Sequence, residues 1–170
     1  LESTVPPGTT ARVESLVYEL RTDLSAGKSI RFAHCPERVL PGAIVREFET
    51  NPRVVGGLTP LATRQAAEYY RQVTSGQVFE TSAETAELAK LAENAYRDVN
   101  IAFANELSGI ADAFGVDGRE VIMLANQHPR VNILRPGIGV GGHCIAVDPW
   151  FIVSADPENA KLIETAREVN

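Results

Sequence analysis

A stripe of apolar residues in the second half of the chain constrains the fold most. It comprises Leu88, Leu91, Ala92, Ala95, Val99, Ala102, Phe103, Ile110 and Phe114. Apolar side chains at this helical spacing predict one helix of about nine turns. We expect it to begin at a capping box of Thr81 and Glu84 and to end at Gly115. Because most globular helices are shorter, we expect it to lie in an interface, most simply between two subunits. A long core helix of a monomer is the alternative.

Shorter elements alternate along the chain before this helix. The alternation of strands and helices predicts part of a parallel α/β sheet in residues 1–81, followed by a helical domain over residues 82–170. The fold class is therefore α/β followed by all-α. The opening residues look like the end of a strand, so we expect the chain to begin inside a domain. Predicted helices cover Thr9 or Thr10 to about Leu24, 43–49, Thr59 to about Val73, 117–127 and 156–170, and predicted strands cover 29–34, 53–56 and 77–81.

Composition excludes several classes of protein. A net charge of −6 and a pI near 5.1 argue against binding to nucleic acid or to anionic membranes. No apolar run is long enough to span a membrane. The two cysteines are far apart, and no signal peptide is present, so we expect a cytoplasmic protein without disulfides. The histidines and cysteines lack zinc-site spacing, so we expect no metal.

A glycine-rich stretch precedes the second cysteine, Cys144. Four of the thirteen glycines lie within residues 137–142. If Cys144 begins a helix, the amide groups and dipole of that helix favour its thiolate form. Asp148, four residues later, would then lie on the same face. The stretch predicts either a nucleophilic cysteine with a nearby carboxylate, or a flexible loop before a buried, inert cysteine.

The same glycines superficially resemble a dinucleotide-binding loop. They follow a proline-containing segment rather than a strand, and the acidic residue expected on a second strand is missing. We therefore expect this loop not to hold a dinucleotide pyrophosphate.

Polar residues interrupt the predicted long helix. Lys90, Asn94 and Arg97 share one face, which suits a polyanionic or oxygen-rich ligand. The alternative is a solvated face, or pairing of these cations with acidic neighbours. Those neighbours are Glu87, Glu93, Asp98 and Glu106. Glu37 follows a predicted strand, at the kind of position where ligands of α/β sheets bind, whereas His128 could be only a cation at a helix end.

Several segments together resemble the UDP-glucose/GDP-mannose dehydrogenase family, in order and in separation. They are residues 4–8 (TVPPG), 35–42 (CPERVLPG), 86–94 (AELAKLAEN) and 136–144 (PGIGVGGHC). Within the family, residues 37–42, 97–106, 128–133 and 142–151 are similar to the UDP-N-acetyl-D-mannosamine dehydrogenases. UDP-glucose dehydrogenases usually carry Glu where this chain has Pro41, which argues against UDP-glucose as substrate.

The resemblance implies NAD-dependent oxidation of the C6 alcohol of UDP-N-acetyl-D-mannosamine to UDP-N-acetyl-D-mannosaminuronate, for surface polysaccharide. Another UDP- or GDP-sugar is the alternative, as is a pure dimerisation module. Cys144 would form a thiohemiacetal and then a thioester with the substrate. Lys90 and Asn94 would stabilise the oxyanion, while Asp148 and Glu37 would handle water and protons.

The resemblance also implies binding residues. Thr4 would touch the nicotinamide side of NAD. The family's Gly-x-Gly-x-x-Gly half and its UDP-binding domain are missing from this chain, so we expect the isolated chain to be inactive. The residues implied to line the sugar-nucleotide site, some across a dimer, are Arg38, Val39, Arg97, His128, Arg130 and Gly141.

Overall fold

The computed structural model describes residues 1–24, 30–39 and 42–170. These residues form two compact units, Leu1–Lys90 and Leu91–Asn170. The domain boundary that we predict between residues 81 and 82 stays a prediction. The helices are α1 (Thr9–Leu20), α2 (Ile44–Thr50), α3 (Pro60–Val73), α4 (Ala83–Ala113), α5 (Gly118–Ala125), α6 (His143–Ala155) and α7 (Lys161–Val169). The strands are β1 (Ala33–His34), β2 (Arg53–Gly57) and β3 (Val78–Ser82).

A three-stranded sheet of order β1-β2-β3 organises the first unit. β2 and β3 are parallel, and α3 connects them, as the alternation predicted. β1 pairs antiparallel with β2, with Ala33 opposite Gly57, so the prediction of a parallel sheet is wrong for this strand. An antiparallel edge strand on an otherwise parallel sheet is a common arrangement. Residue 29, in the strand predicted at 29–34, lies outside the described residues.

Side chains from the sheet and α3 form the core of the first unit. Cys35, Val55, Ala67 and Tyr70 make up the buried cluster, with Ala66 and Val78 packed against it. β2 approaches β3 so closely that a Cβ on Gly56 would lie 2.0 Å from the carbonyl oxygen of Ser82. Only glycine fits at that point of the strand.

The long helix is present, but its cap is not the predicted one. α4 has 31 residues, and it continues from the first unit into the second. The backbone N–H of Thr85 donates to the hydroxyl of Ser82 at 3.2 Å. The predicted capping box of Thr81 and Glu84 is therefore wrong, because α4 begins at Ala83 and the residue directly before it is Ser82, not Thr81.

The second unit contains the rest of α4 with α5, α6 and α7. Gly115, with a φ of 70°, follows the last turn of α4 as predicted. Asp117 caps α5 by accepting from the N–H of Arg119 at 2.8 Å.

Two predicted helix boundaries are wrong. α7 begins at Lys161 rather than at Asp156, because the Asp156 side chain instead holds a turn by accepting from the side chain of Asn159 at 2.8 Å. α1 ends at Leu20 rather than near Leu24.

Within the described part of the chain, no helix combines the length and the apolarity needed to cross a bilayer.

Candidate functional site

The glycine loop places Cys144 at the start of a helix, which meets the condition set for this residue in the sequence analysis. Gly139, Gly141 and Gly142 have φ values of 69°, 62° and 74°, a left-handed backbone that favours glycine. α6 begins at His143, so Cys144 lies in its first turn, near amide groups that have no partner within the helix. The Cys144 side chain is exposed. The thiol therefore faces solvent in the first turn of a helix, where a substrate can reach it.

The other cysteine has the opposite environment. Cys35 is only 2% exposed and belongs to the core of the first unit. Burial raises the pKa of its thiol, although contact with Tyr70 and the charge of Arg53 partly oppose that effect. The alternative of a buried, inert cysteine thus describes Cys35 and not Cys144.

Asp148 is joined to Asn94 inside the second unit. The Asn94 Nδ2 group donates to Oδ2 of Asp148 at 2.6 Å. The two side chains are 7% and 5% exposed. A carboxylate removed from water needs such a donor, so Asn94 supports Asp148 one helical turn after Cys144. The Asn94 amide still has a second N–H to offer.

Glu37 forms a compact group with its neighbours in the first unit. Its Oε1 accepts from the backbone N–H groups of Arg38, at 2.6 Å, and Val39, at 3.0 Å. Its Oε2 lies 3.5 Å from Nη1 of Arg53, which stacks over the ring of Phe48. The Glu37 side chain remains 39% exposed, so a fixed carboxylate still reaches solvent. Pro41, which we used to argue about the substrate, lies outside the described residues.

The three residues of the predicted row, Lys90, Asn94 and Arg97, differ in their exposure to solvent. Asn94 is buried, Arg97 is exposed, and Lys90 is half-buried at the end of the first unit. Two acidic neighbours that could have paired with the cations have other partners. The carboxylate of Glu87 accepts from Gly8 and Thr10, and that of Asp98 accepts from Arg167. Pairing of the row with these two carboxylates is therefore the wrong interpretation.

The remaining predicted binding residues lie in exposed or half-buried segments of the chain. His128 and Arg130 share an exposed turn after α5, where the Arg130 N–H donates to Nδ1 of His128 at 3.3 Å. Gly141 is exposed within the glycine loop. Thr4 is half-buried in the segment that leads into α1.

Sequence reasoning missed an asparagine that holds the segment before the glycine loop. The side chain of Asn126 accepts from the N–H of Ile133 at 2.7 Å and donates to its carbonyl oxygen at 3.0 Å. A cleft of about 770 Å³ lies between α5 and residues 132–136, with Arg119 and Arg135 among its lining residues. An asparagine at the end of an apolar helix would ordinarily be interpreted as a cap, so the sequence held little signal for this role.

Comparison with known families places the two halves of the chain in one family. Residues 84–170 match the central domain of the UDP-glucose/GDP-mannose dehydrogenase family, and residues 1–74 match its NAD binding domain. The chain belongs to this family. The glycine run at 137–142 lies in the central domain, and no strand precedes it directly in the described segment from 126 onward.

Relatives in this family carry two kinds of name. The chain is 57% identical to an NDP-N-acetyl-D-galactosaminuronic acid dehydrogenase of Ralstonia solanacearum, over 100% of the chain and 42% of that protein. It is 54% identical to a UDP-N-acetyl-D-mannosamine dehydrogenase of Campylobacter jejuni, over 100% of the chain and 43% of that protein. The chain thus spans about two fifths of the length of these relatives.

A solved structure shares the fold. The UDP-D-ManNAc dehydrogenase from Pyrococcus horikoshii superimposes with a TM-score of 0.93 at 48% identity, covering 99% of this chain and 40% of that one. The predicted succession of an NAD-binding α/β part and a helical central domain is confirmed.

Proposed function

We propose that the full-length protein containing this chain oxidises the C6 alcohol of UDP-N-acetyl-D-mannosamine to the carboxylate, giving UDP-N-acetyl-D-mannosaminuronate. The observation that carries the proposal is the exposed Cys144 at the start of α6, in a chain of this family. The reaction removes two hydrides from C6 and adds the oxygen of one water molecule. NAD, when bound, accepts the hydrides.

One residue of the first unit, Thr4, is the proposed contact with that cofactor. The backbone N–H groups of Gly8 and Thr10 at the start of α1 are held by Glu87, so a pyrophosphate would not find them free. Thr4, half-buried just before this turn, offers its hydroxyl group. We assign Thr4 to the nicotinamide side.

Cys144 supplies the covalent chemistry in this proposal. Its thiolate adds to the C6 aldehyde that the first oxidation produces, and a thiohemiacetal forms. Loss of the second hydride from C6 converts this intermediate into a thioester. Water then attacks the thioester carbonyl, the C–S bond breaks so that the Cys144 thiolate leaves, and the carboxylate product is released.

Four other side chains have proposed catalytic roles. Lys90 and the second N–H of Asn94 stabilise the oxyanion that develops on C6. Asp148 and Glu37 move protons and orient the hydrolytic water. The hydrogen bond between Asn94 and Asp148, together with the exposed, amide-held carboxylate of Glu37, supports these roles. The roles of Lys90 and Glu37 rest on the family resemblance.

In this proposal the sugar nucleotide binds to exposed arginine side chains and to accessible backbone. Arginine guanidinium groups bind diphosphate oxygens in pairs, which suits Arg97 and Arg130 on exposed surface. The proposed binding residues are Arg38, Val39, Arg97, His128, Arg130 and Gly141.

A second copy of the chain is the proposed partner of α4. Tyr96, Phe103 and Ile110 are exposed at a seven-residue spacing along the helix, and Phe114 extends the line. Such a seam fits the same helix of another subunit. Phe103→Glu in the full-length protein would convert a dimer into a monomer during size-exclusion chromatography with light scattering. An unchanged mass would contradict this interface.

A different N-acetylhexosamine is the second candidate substrate. The 57% identical relative is named for N-acetylgalactosaminuronic acid, which favours UDP-N-acetylgalactosamine as the competitor. Rates of NADH formation by the full-length protein on UDP-N-acetylmannosamine, UDP-N-acetylgalactosamine, UDP-N-acetylglucosamine and UDP-glucose decide between them. We expect the first to be fastest and the isolated 170-residue chain to be inactive on all four. A higher kcat/KM on another sugar would overturn the assignment.

A further inference from the structure

A chain of polar side chains connects the glycine loop to a buried ion pair in the second unit. The backbone N–H of Gly137 donates to Oδ1 of Asn105 at 2.8 Å. The Nδ2 group of Asn105 donates to Oδ1 of Asn170 at 2.8 Å. Asn170 in turn donates to the Asp98 carboxylate at 2.9 Å, and Arg167 pairs with the same oxygen at 2.7 Å.

Each link in this chain has a fixed direction. A backbone N–H can only donate, so Asn105 must present its oxygen to Gly137 and its NH₂ group to Asn170. Asn170 must then present its own NH₂ group to Asp98, since a carboxylate only accepts. Two amides that could each be rotated in isolation therefore have one consistent orientation. The fully buried Asp98 fixes the far end.

The glycine loop also lies against the backbone at Asn170. Gly139 has a φ of 69°, and a Cβ built on it would lie 2.9 Å from the carbonyl oxygen of Asn170. At Gly139 the loop therefore lies against the end of α7 with no room for a side chain. Cys144 lies five residues beyond this contact.

We propose that Asn105 is a positioning residue that fixes the glycine loop, and thereby Cys144, against the buried pair of Asp98 and Arg167. The proposal rests on the proposed function for its catalytic consequence, because Asn105 acts through Cys144. Catalytic groups need their geometry held by such supporting hydrogen bonds, and a displacement of about 1 Å can cost about a hundredfold in rate.

The test uses the full-length protein with Asn105→Ala. We expect kcat with UDP-N-acetylmannosamine to fall about tenfold to a hundredfold while KM for NAD stays within about twofold. Hydrogen exchange should accelerate about fivefold in the peptide covering residues 134–142, the factor expected from one lost hydrogen bond, and stay unchanged elsewhere except at the end of α7, where Asn170 loses the same partner. Asn100→Ala is the matched control, since that asparagine lies on the same helix and, among the described residues, donates only to the carbonyl oxygen of Tyr96.

A second variant and the hydrogen-exchange data give independent checks of the proposal. Gly139→Ala, which pushes the loop off Asn170, should give the same loss of kcat. The proposal is overturned if both variants keep kcat within twofold of wild type, or if exchange rises throughout the second unit. If the wild-type protein oxidises no UDP-sugar, the proposed function fails, while the exchange pattern still decides whether Asn105 positions the loop.

Discussion

Asn94 and Asp148 are joined by a 2.6 Å hydrogen bond that connects α4 with α6. Both side chains are buried, so the bond is the support for a carboxylate that lies four residues after the exposed Cys144. The helix that carries Asn94 is thereby bonded to the helix that carries Cys144. The pair joins the two helices, and in the proposed mechanism it also holds the Asp148 carboxylate in place.

Asn94→Ala should lower the free energy of unfolding by about 1–3 kcal/mol, because it leaves the Asp148 carboxylate buried without this donor. Asn100→Ala, on an exposed part of the same helix, should change it by less than about 0.5 kcal/mol. Urea denaturation of the full-length variants measures both. Equal effects of the two substitutions would show that the buried hydrogen bond contributes no more to the free energy of unfolding than the exposed one.

Iodoacetamide should modify Cys144 and spare Cys35 in the native protein. Cys144 is exposed at a helix start, whereas burial protects Cys35 and raises the pKa of its thiol. Peptide mass spectrometry gives the extent of labelling at each site, and Cys144→Ser should abolish it until denaturant is added. Labelling of Cys35 in the folded protein would contradict the described core.

His34 should make the first unit less stable in mild acid. Its ring is fully buried, and neither ring nitrogen has a hydrogen-bond partner among the described residues. Burial lowers the pKa of His34 below its ordinary 6.5, although the charge of Glu87 opposes this. The unfolded chain then binds the proton more readily, so the contribution of His34 to stability is complete above pH 6.5 and is lost as pH falls through the folded pKa.

Unfolding measured from pH 7 to pH 5 tests this sign. His34→Phe should flatten the decline by at most about 1.4 kcal/mol per pH unit. His143→Asn, which removes an exposed histidine, should keep the wild-type slope. A decline of the same steepness in His34→Phe would exclude the buried ring as its source.

Glu87→Gln should destabilise the start of α1. The Glu87 carboxylate accepts from the N–H groups of Gly8 and Thr10, at 2.6 and 2.7 Å, and from the Thr10 hydroxyl at 2.6 Å. An amide would turn an NH₂ group toward one of these donors, and we expect a loss of about 1.5–3 kcal/mol. The exposed Glu84 of the same helix provides the control. A thermal melt in which Glu84→Gln costs as much as Glu87→Gln would refute the cap.

Periodicity made α4 predictable, because its apolar residues repeat over many turns, whereas α6 has no such pattern and was only a condition in the argument about Cys144. The direction of β1 was not predictable, since a two-residue strand carries no pattern that distinguishes parallel from antiparallel pairing. Ser82 is the cap instead of Thr81 because α4 begins one residue later than predicted, and a local pattern fixes the first residue of a helix only to within one or two positions.

The candidate site, like the fold, could be predicted from the sequence only in part. Local patterns identified Cys144 and Asp148, which lie four residues apart on one helix. The structural partner of Asp148 lies 54 residues away, and that of Gly137 lies 32 residues away. Asn105 was visible in the sequence as a polar residue in an apolar helix, but its contact with the loop exists only in the folded chain.

The product formed by Cys144→Ala in the full-length protein tests the central claim most directly. With UDP-N-acetylmannosamine, the wild-type protein should form two NADH per sugar and the C6 carboxylate, because the thioester route completes both oxidations. The variant should keep its fold, as judged by its melting temperature, and form no carboxylate. Carboxylate formation at the wild-type rate in Cys144→Ala would contradict the account.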